Sequence, residues 1–544
     1  MTNTFFDFNL LESASEGSPY ILDTIKNAHI SVYISLIFII FLISLGYKRI
    51  PYKTKNNYKS LILTTIIFLI AHSLTPLTLG KANEELTWSS WKNPRNIYIS
   101  FNDSNKSLKV TGLFEYTIRN FYVTYLKTEA EENYEDEQFL NLAFSDYGEY
   151  KNKYTGMLKE KNLIFVQLEG TDNWLINKSD TPTLYSMMKN SINFTNHYSY
   201  YNGGGSTFNS EFAVNTGFIT PLSYTQNAYT FNKNSFPYSM ANLFKKEGYV
   251  VNAFHMNTGE YYSRTANYIN WGYNNYYGLI DIEEYNDESY MLDRELILNE
   301  KFNELMFPSN TNFVDYIIAY SGHTPFTNTK GVCKQLYDLD TKEQQIENEN
   351  KDNEEEAAIE ETIFVQMTEE ECVRRQAKET DYMMELLLRN LEEKNLIDNT
   401  VIVVFTDHYL YTLSDKSLLE KYKETDNNLI NHTPFFIWSN DIKKATIKEP
   451  TSQLNILPTV LNLFDMYYNP NHYIGEDALN PKYNGIVFFS DYSWYDGNVY
   501  VEDGEVINNK NISYDKLEEK NYYINYITKK NDLALKFNYF KNKK

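Results

Sequence analysis

The run Thr400-Val-Ile-Val-Val-Phe-Thr406 has no polar break in its middle and is closed by Asp407-His408. An apolar run of this length reads as a strand buried on both faces rather than one with a face in water. The pattern recurs: Asn162-Leu-Ile-Phe-Val-Gln-Leu168 ends in Glu169, and Tyr316-Ile-Ile-Ala-Tyr320 is followed by Ser321-Gly322-His323. Doubly buried strands belong to a largely parallel sheet, and open α/β sheets place their ligand sites at the strand carboxyl ends. Alone, Asp407-His408 is also what chance leaves at a strand-to-loop junction. Three strands that each end in a metal-type ligand predict a site.

From about Leu158 onward, strands and helices alternate. Tyr249–Phe254 and Pro434–Trp438 add strand candidates, and Ala377–Glu393 carries helix formers with Tyr382, Leu386 and Leu387 on one face. The expected fold class is α/β, a mostly parallel sheet flanked by helices over residues 158–485. Ile486–Phe489 and Val499–Val501, with Asp496-Gly497 and Asp503-Gly504 as turn signals, predict a small antiparallel sheet within 486–544. Residues 337–371 form an acidic, low-complexity insertion that includes Glu354-Glu355-Glu356 and reads as a solvated excursion. It lacks the spacing of a calcium-binding EF-hand. Cys333 and Cys372 flank it, either as a disulfide on an oxidising cell exterior or as two unrelated thiols.

The first eighty residues read as a membrane anchor. Ile30–Tyr47 and Ser60–Gly80 are uncharged and long enough to span a bilayer, so two transmembrane helices are expected. A signal peptide would open on a basic region, whereas this segment carries Asp7, Glu12 and Glu16. Lys48, Arg49, Lys53, Lys55 and Lys59 lie between the two stretches and assign that loop to the cytoplasm. The remainder is then extracellular, with 81–157 as a polar connector to the catalytic body. A net charge of −22 argues against a nucleic-acid partner, which needs basic surface.

Tyr201-Asn-Gly-Gly-Gly-Ser-Thr207-Phe-Asn-Ser-Glu-Phe212 places hydroxyls after three glycines and before an apolar stretch. Such a segment is either a Gly-Ser turn with a helix cap, or a nucleophile at a helix N-terminus whose amides face an anion. Glu169, Thr207, Asp407 and His408 together offer mixed oxygen and nitrogen ligands, which suit Mn²⁺, Mg²⁺ or Zn²⁺. His255 and His323 each follow a strand and are able to donate to a phosphate or protonate a leaving group, although a histidine there is commonly a loop residue. Arg264 has the fork geometry for phosphoryl oxygens.

In this order, the segments ending in Glu169, Thr207-Phe-Asn-Ser-Glu-Phe212, Phe254-His255, Ser321-Gly-His323-Thr-Pro-Phe326 and Thr406-Asp407-His408 resemble the extracellular sulfatase-like phosphoglycerol transferases. These form the lipoteichoic acid synthase-like branch of the alkaline phosphatase superfamily. Glu449–Leu461 also resembles the segment that follows that family's metal motif. The resemblance spans roughly 160–480. It implies one Mn²⁺-type ion held by Glu169, Thr207, Asp407 and His408, with Thr207 as the nucleophile that takes up glycerol phosphate. It implies Arg264 on the phosphate, His323 near the transferred head group, and His255 beside that pocket. Tyr262 stands where the family has Trp, and Phe208-Asn209 where it has Ser-Asp. Two spans replace the usual five, and the acidic insertion is additional.

The expected function is therefore transfer of glycerol phosphate from phosphatidylglycerol to a cell-envelope polymer or glycolipid. The alternatives are a phosphoethanolamine transferase, a sulfatase- or phosphatase-type hydrolase, and a non-catalytic lipid- or wall-polymer-binding protein. A formylglycine sulfatase needs Cys-x-Pro-x-Arg or Ser-x-Pro-x-Arg, and the sequence contains neither.

Overall fold

The computed structural model of the chain describes residues 8, 30–49, 58–82, 93–100, 104–126, 134–145, 150–201, 206–224, 226–282, 292–351, 366–467, 469–508 and 510–541. The chain divides into two compact units, Met1–Ala130 with Ser223–Thr225, and Glu131–Leu222 with Gln226–Lys544.

The larger unit contains β1 (Asn162–Leu168), β2 (Ile192–Phe194), β3 (His197–Tyr198), β4 (Val250–His255) and β5 (Asn275–Gly278). These are followed by β6 (Phe313–Ile318), β7 (Thr400–Thr406), β8 (Phe435–Trp438), β9 (Ala445–Ile447) and β10 (Thr451–Ser452). Eight of them form one sheet in the order β5-β4-β6-β1-β7-β8-β2-β9, and β3 pairs with β10. Neighbours in the large sheet run parallel, except that β8 is antiparallel to both β7 and β2. The expected α/β class holds.

Side-chain alternation explains why the central strands read as continuous apolar runs. Leu163, Phe165, Val401, Val403 and Phe405 enter one core, which also takes Phe212 and Leu457 from the helices Ser206–Thr216 and Gln453–Leu463. Ile164, Val166, Ile402 and Val404 enter the opposite core with Leu184, Met383 and Leu387, from the helices Pro182–Lys189 and Glu369–Glu393. Each such side chain contributes roughly 1.5–3 kcal/mol when fully buried. A polar residue on either face of β1 or β7 therefore needs a partner.

β6 begins at Phe313, earlier than the apolar run Tyr316–Tyr320 indicates, because Asp315 lies inside it. Burial pushes the Asp315 carboxyl well above its usual range, so the strand tolerates it as a neutral acid. The Ala377–Glu393 helix is longer than expected. It starts at Glu369 behind a capping box in which Thr368 and Glu371 satisfy each other's backbone amides.

The antiparallel sheet near the C-terminus is present as β11 (Val487–Phe488), β12 (Trp494–Tyr495), β13 (Tyr500–Glu502) and β14 (Glu505–Val506). Asp503 and Gly504 both have positive φ, the turn chemistry that their sequence signals. The following helix, Tyr514–Lys536, packs on Tyr134–Ala143. The acidic insertion begins as a continuation of the Gly331–Lys351 helix, and 352–365 lie outside the described residues. Cys333 and Cys372 form a disulfide between that helix and Glu369–Glu393.

In the smaller unit, Tyr58–Thr78 is a helix long and apolar enough to cross a membrane, and none of its residues is buried. Among the described residues it is the one helix to meet that criterion, where the sequence leads to two. The first expected span folds as the Ile30–Arg49 helix, whose last turn is charged by Lys48 and Arg49. Lys53 and Lys55 of the basic loop lie outside the described residues.

Candidate active site

β1 and β7 are paired in register from Asn162–Thr400 to Leu168–Thr406, so Glu169 and Asp407 leave the sheet side by side. Ligand atoms of Glu169, Asp407 and His408 all lie within 4.8 Å of one another, and all three residues are buried. His408 Nε2 stands 3.4 Å from Glu169 Oε1 and 3.3 Å from Asp407 Oδ2. Its other nitrogen, Nδ1, is 3.0 Å from the Tyr409 carbonyl, an arrangement that leaves Nε2 to a ligand. Asp407 Oδ1 accepts from the amides of Gly170 at 2.9 Å and His408 at 2.8 Å. Asp407 Oδ2 is buried with no hydrogen-bond partner.

Thr207, expected as the fourth ligand, lies beside this cluster. Thr207 Oγ1 donates to Glu169 Oε2 at 3.2 Å. Thr207 occupies the first turn of the Ser206–Thr216 helix, where the helix dipole favours negative charge on a ligand or an alkoxide. The three glycines expected to shape its approach, Gly203 to Gly205, lie outside the described residues.

The charges of this cluster do not balance. Burial raises the Glu169 carboxyl, but His408, His323 and Asp407 together outweigh burial and hold it at about 2. Asp407 goes the other way: burial, then the Glu169 charge, pushes it well above the usual carboxylate range. Burial disfavours charge on His408, yet Asp407 and Glu169 together raise it to about 9. A buried pair of carboxylates that draws a proton onto the neighbouring imidazole is a site short of positive charge. With Asp407 Oδ2 orphaned, and with His408 Nε2 able to give up its proton to a metal while Nδ1 serves the Tyr409 carbonyl, the donor set fits a divalent cation that prefers oxygen and nitrogen ligands.

The remaining predicted residues fall into two groups. His323 lies close enough to Glu169 to help hold its carboxyl low. Its Nδ1 is 2.6 Å from the Thr324 carbonyl, and its ring stacks on Tyr320 with centroids 5.0 Å apart. His255, at the end of β4, is buried with Nδ1 2.8 Å from the Ile318 carbonyl. Burial, then the Arg264 charge, hold its imidazole well below its usual pKa, so it is neutral.

Arg264 is placed otherwise than its expected role suggests. It is buried, and Glu211 takes its Nη2 at 2.7 Å and its Nε at 3.1 and 3.2 Å. Nη1 is without a hydrogen-bond partner, so this one nitrogen with its two N–H groups, rather than the whole fork, remains for a ligand. Tyr262 packs against Phe208 at 5.6 Å and lies 5.3 Å from the Arg264 guanidinium.

A family model described as Sulfatase matches residues 161–466, more than half of the chain. The chain belongs to the sulfatase family. Within it, lipoteichoic acid synthase of Staphylococcus aureus strain USA300 is 24% identical over 410 residues, covering 69% of this chain and 58% of the relative. The chain thus spans somewhat more than half the length of the curated relatives it matches. Among solved structures, the lipoteichoic acid synthase LtaP from Listeria monocytogenes superposes with a TM-score of 0.57 at 20% identity. That match covers 75% of this chain and 98% of the other. An alkaline phosphatase superfamily protein from Vibrio parahaemolyticus gives 0.53 at 16% identity, over 76% and 98% of the two chains. The fold is therefore the one shared with these two solved structures.

Within this sulfatase frame, several residues that the sequence left unassigned hold the site together. Gln167 Nε2 donates to the Thr207 carbonyl at 3.1 Å, and Tyr316 OH donates to Gln167 Oε1 at 2.6 Å. Gln453 Nε2 donates to the Asp407 carbonyl at 2.7 Å and to Ser210 Oγ at 2.9 Å. Ser210 Oγ in turn donates to the Asp407 carbonyl at 2.8 Å. Gln167 is the one polar side chain between Leu163 and Leu168, which marks its position but not its partner, and Tyr316 sits beside Asp315 in β6 without such a mark.

Proposed function

We propose that the chain is a membrane-anchored phosphoglycerol transferase that moves glycerol phosphate from phosphatidylglycerol to a hydroxyl of a cell-envelope polymer or glycolipid. The observation that carries this reading is the Thr207 hydroxyl on Glu169, at a helix N-terminus and beside a buried cation site. The lipoteichoic acid synthase relatives support the substrate class.

Glu169, Asp407, His408 and Thr207 would hold the ion, with Mn²⁺ preferred and Mg²⁺ or Zn²⁺ compatible. When bound, that ion supplies the positive charge that favours the Thr207 alkoxide and stabilises charge developing on the phosphoryl oxygens. Thr207 Oγ forms a bond to phosphorus while the bond from phosphorus to the diacylglycerol oxygen breaks. The hydroxyl proton leaves along its hydrogen bond to Glu169 and passes on to solvent, and His323 protonates the departing diacylglycerol oxygen. An acceptor hydroxyl then attacks phosphorus and gives its proton to His323. The Thr207–phosphorus bond breaks, and the threonine oxygen takes back a proton from solvent. Arg264 Nη1 and the neutral His255 face the head group, with Tyr262 beside them.

Both apolar helices, Ile30–Arg49 and Tyr58–Thr78, would span the membrane with Lys48, Arg49 and Lys59 on the cytoplasmic side. The catalytic body of 158–485 and the 486–544 subdomain are then extracellular. The Cys333–Cys372 disulfide supports that side, because an oxidising compartment maintains it. The anchor holds the enzyme where its lipid substrate is concentrated.

The test is lipid turnover by the purified full-length protein with Mn²⁺, offered phosphatidylglycerol and phosphatidylethanolamine, with Thr207→Ala as control. Diacylglycerol released from phosphatidylglycerol alone, and lost in Thr207→Ala, is the expected result. Release from phosphatidylethanolamine instead moves the chain to the phosphoethanolamine transferases. No release from either lipid refutes a lipid-dependent transferase.

A further inference from the structure

The Glu369–Glu393 helix covers one face of the sheet, and it also reaches the active site. Three residues spaced four apart along it, Cys372, Gln376 and Thr380, are all buried. Side chains four apart lie on one face of a helix. Cys372 is joined to Cys333. Gln376 Nε2 donates to the carbonyls of Ser321 and His323, both at 2.8 Å. Thr380 Oγ1 donates at 2.7 Å to Oδ2 of Asp293.

Asp293 completes the clasp from the other side. Its Oδ1 accepts from the amides of Tyr320 at 2.6 Å and Ser321 at 3.0 Å, and its own amide donates to Ser321 Oγ at 2.8 Å. The turn is closed internally by the His323 amide on the Tyr320 carbonyl at 2.8 Å. Gln376 and Asp293 between them therefore bind two amides and two carbonyls of the Tyr320–His323 turn, in addition to the one bond that closes it. A Cβ on Gly322 would lie 1.9 Å from the Glu169 carbonyl oxygen, so the turn is pressed directly against the strand end that carries the metal ligand. Two fully buried polar side chains spent on one four-residue turn exceed what chain connectivity needs. A surface turn of this size closes on its own backbone bonds and water.

We propose that Gln376 and Asp293 are positioning residues that hold the Tyr320–His323 turn, and with it the His323 imidazole, in register with Glu169 and Thr207. This rests on the reading of His323 as the group that serves the leaving and attacking oxygens. The covering helix is then part of the catalytic scaffold. The Cys333–Cys372 bond fixes that helix one turn before Gln376.

The experiment uses the full-length protein and Gln376→Leu, which removes both donors at similar volume, with Asp293→Asn as second variant. Turnover of phosphatidylglycerol is measured in each variant, in His323→Ala and in the two double mutants. Displacement of a reacting group by about an ångström costs on the order of 100-fold. The expected result is a 10- to 100-fold fall in kcat with KM within about twofold. In the His323→Ala background neither substitution should cost anything further. A loss of equal size in both backgrounds overturns the proposal, because a merely structural role does not depend on the imidazole.

Amide hydrogen exchange separates this proposal from the reading of function. Peptides covering 318–326 should exchange faster in either variant, with those covering 162–168 and 400–406 unchanged. Unchanged exchange at 318–326 overturns the proposal even if the wild-type protein turns over no lipid. Faster exchange in a protein without lipid turnover would leave the clasp standing and remove the proposed function.

Discussion

His408 faces Glu169 across 3.4 Å through Nε2, while its Nδ1 is committed to the Tyr409 carbonyl. The imidazole is oriented for a ligand before any ligand arrives. Asp407 has the same design, with Oδ1 fixed by two amides and Oδ2 left bare. An ion that enters satisfies both at once and binds only the folded chain.

Metal binding should therefore raise thermal stability. At a free Mn²⁺ concentration 100 times Kd the gain is about 2.7 kcal/mol by mass action. Chelation should remove it. Asp407→Asn should bind Mn²⁺ at least tenfold more weakly and show little rise in Tm on titration. An unshifted Tm in the wild type with Mn²⁺ would show that the cluster does not hold this ion.

The Thr207 carbonyl hangs on Gln167, and Gln167 on Tyr316. Tyr316→Phe leaves the buried Gln167 Oε1 unpaired, at a cost of about 1–3 kcal/mol in stability. The glutamine is then free to turn away from the Ser206–Thr216 helix. Diacylglycerol release should fall about tenfold or more, with metal content unchanged. Equal kcat in wild type and variant would show that the chain of bonds does not bear on Thr207.

These two cases mark what the sequence discloses. Glu169, Asp407 and His408 were legible because the strands before them are buried on both faces and end abruptly. Gln167 and Tyr316 sit within such strands, where periodicity gives no reason to look for a role. Glu211 lies in a stretch read as a nucleophile motif, yet nothing there pairs it with Arg264, 53 residues away. Short strands at or next to the sheet edges, such as β2, β5 and β9, are too brief for a period to register. The Gly331–Lys351 helix was hidden by its Glu- and Asn-rich second half, although Val332, Cys333 and Leu336 seat its first turns in small apolar clusters. Tyr514–Lys536 was hidden in the same way among Asn, Tyr and Lys, and its buried Ile524, Ile527 and Leu535 show only when packed.

The disulfide closes a separation of 39 residues around the acidic insertion. Loop-closure entropy for a ring of this size predicts about 4 kcal/mol of stabilisation. Replacing both cysteines with serine should lower the urea midpoint accordingly, and a reductant should then have no further effect. Reductant should lower the midpoint of the wild type. Equal midpoints in wild type and the double variant would show that the bond contributes nothing to stability.

Lys530 is buried on the C-terminal helix, with Nζ donating to the carbonyls of Asn471 at 2.6 Å and Tyr473 at 3.0 Å. Burial lowers its pKa to about 7. A neutral amine still has the two N–H donors that these carbonyls need. In the unfolded chain the lysine keeps its ordinary value near 10.4, so between about pH 7 and 10 unfolding takes up a proton. Stability then rises with pH across that window, by up to about 1.4 kcal/mol per unit from this group. Below about pH 7 both states are charged and its contribution is flat. Lys530→Met loses the two hydrogen bonds at every pH but has no proton to take up. Urea unfolding at pH 7, 8 and 9 should therefore show wild-type stability rising relative to Lys530→Met. Parallel curves would mean that the buried amine stays charged in the folded protein.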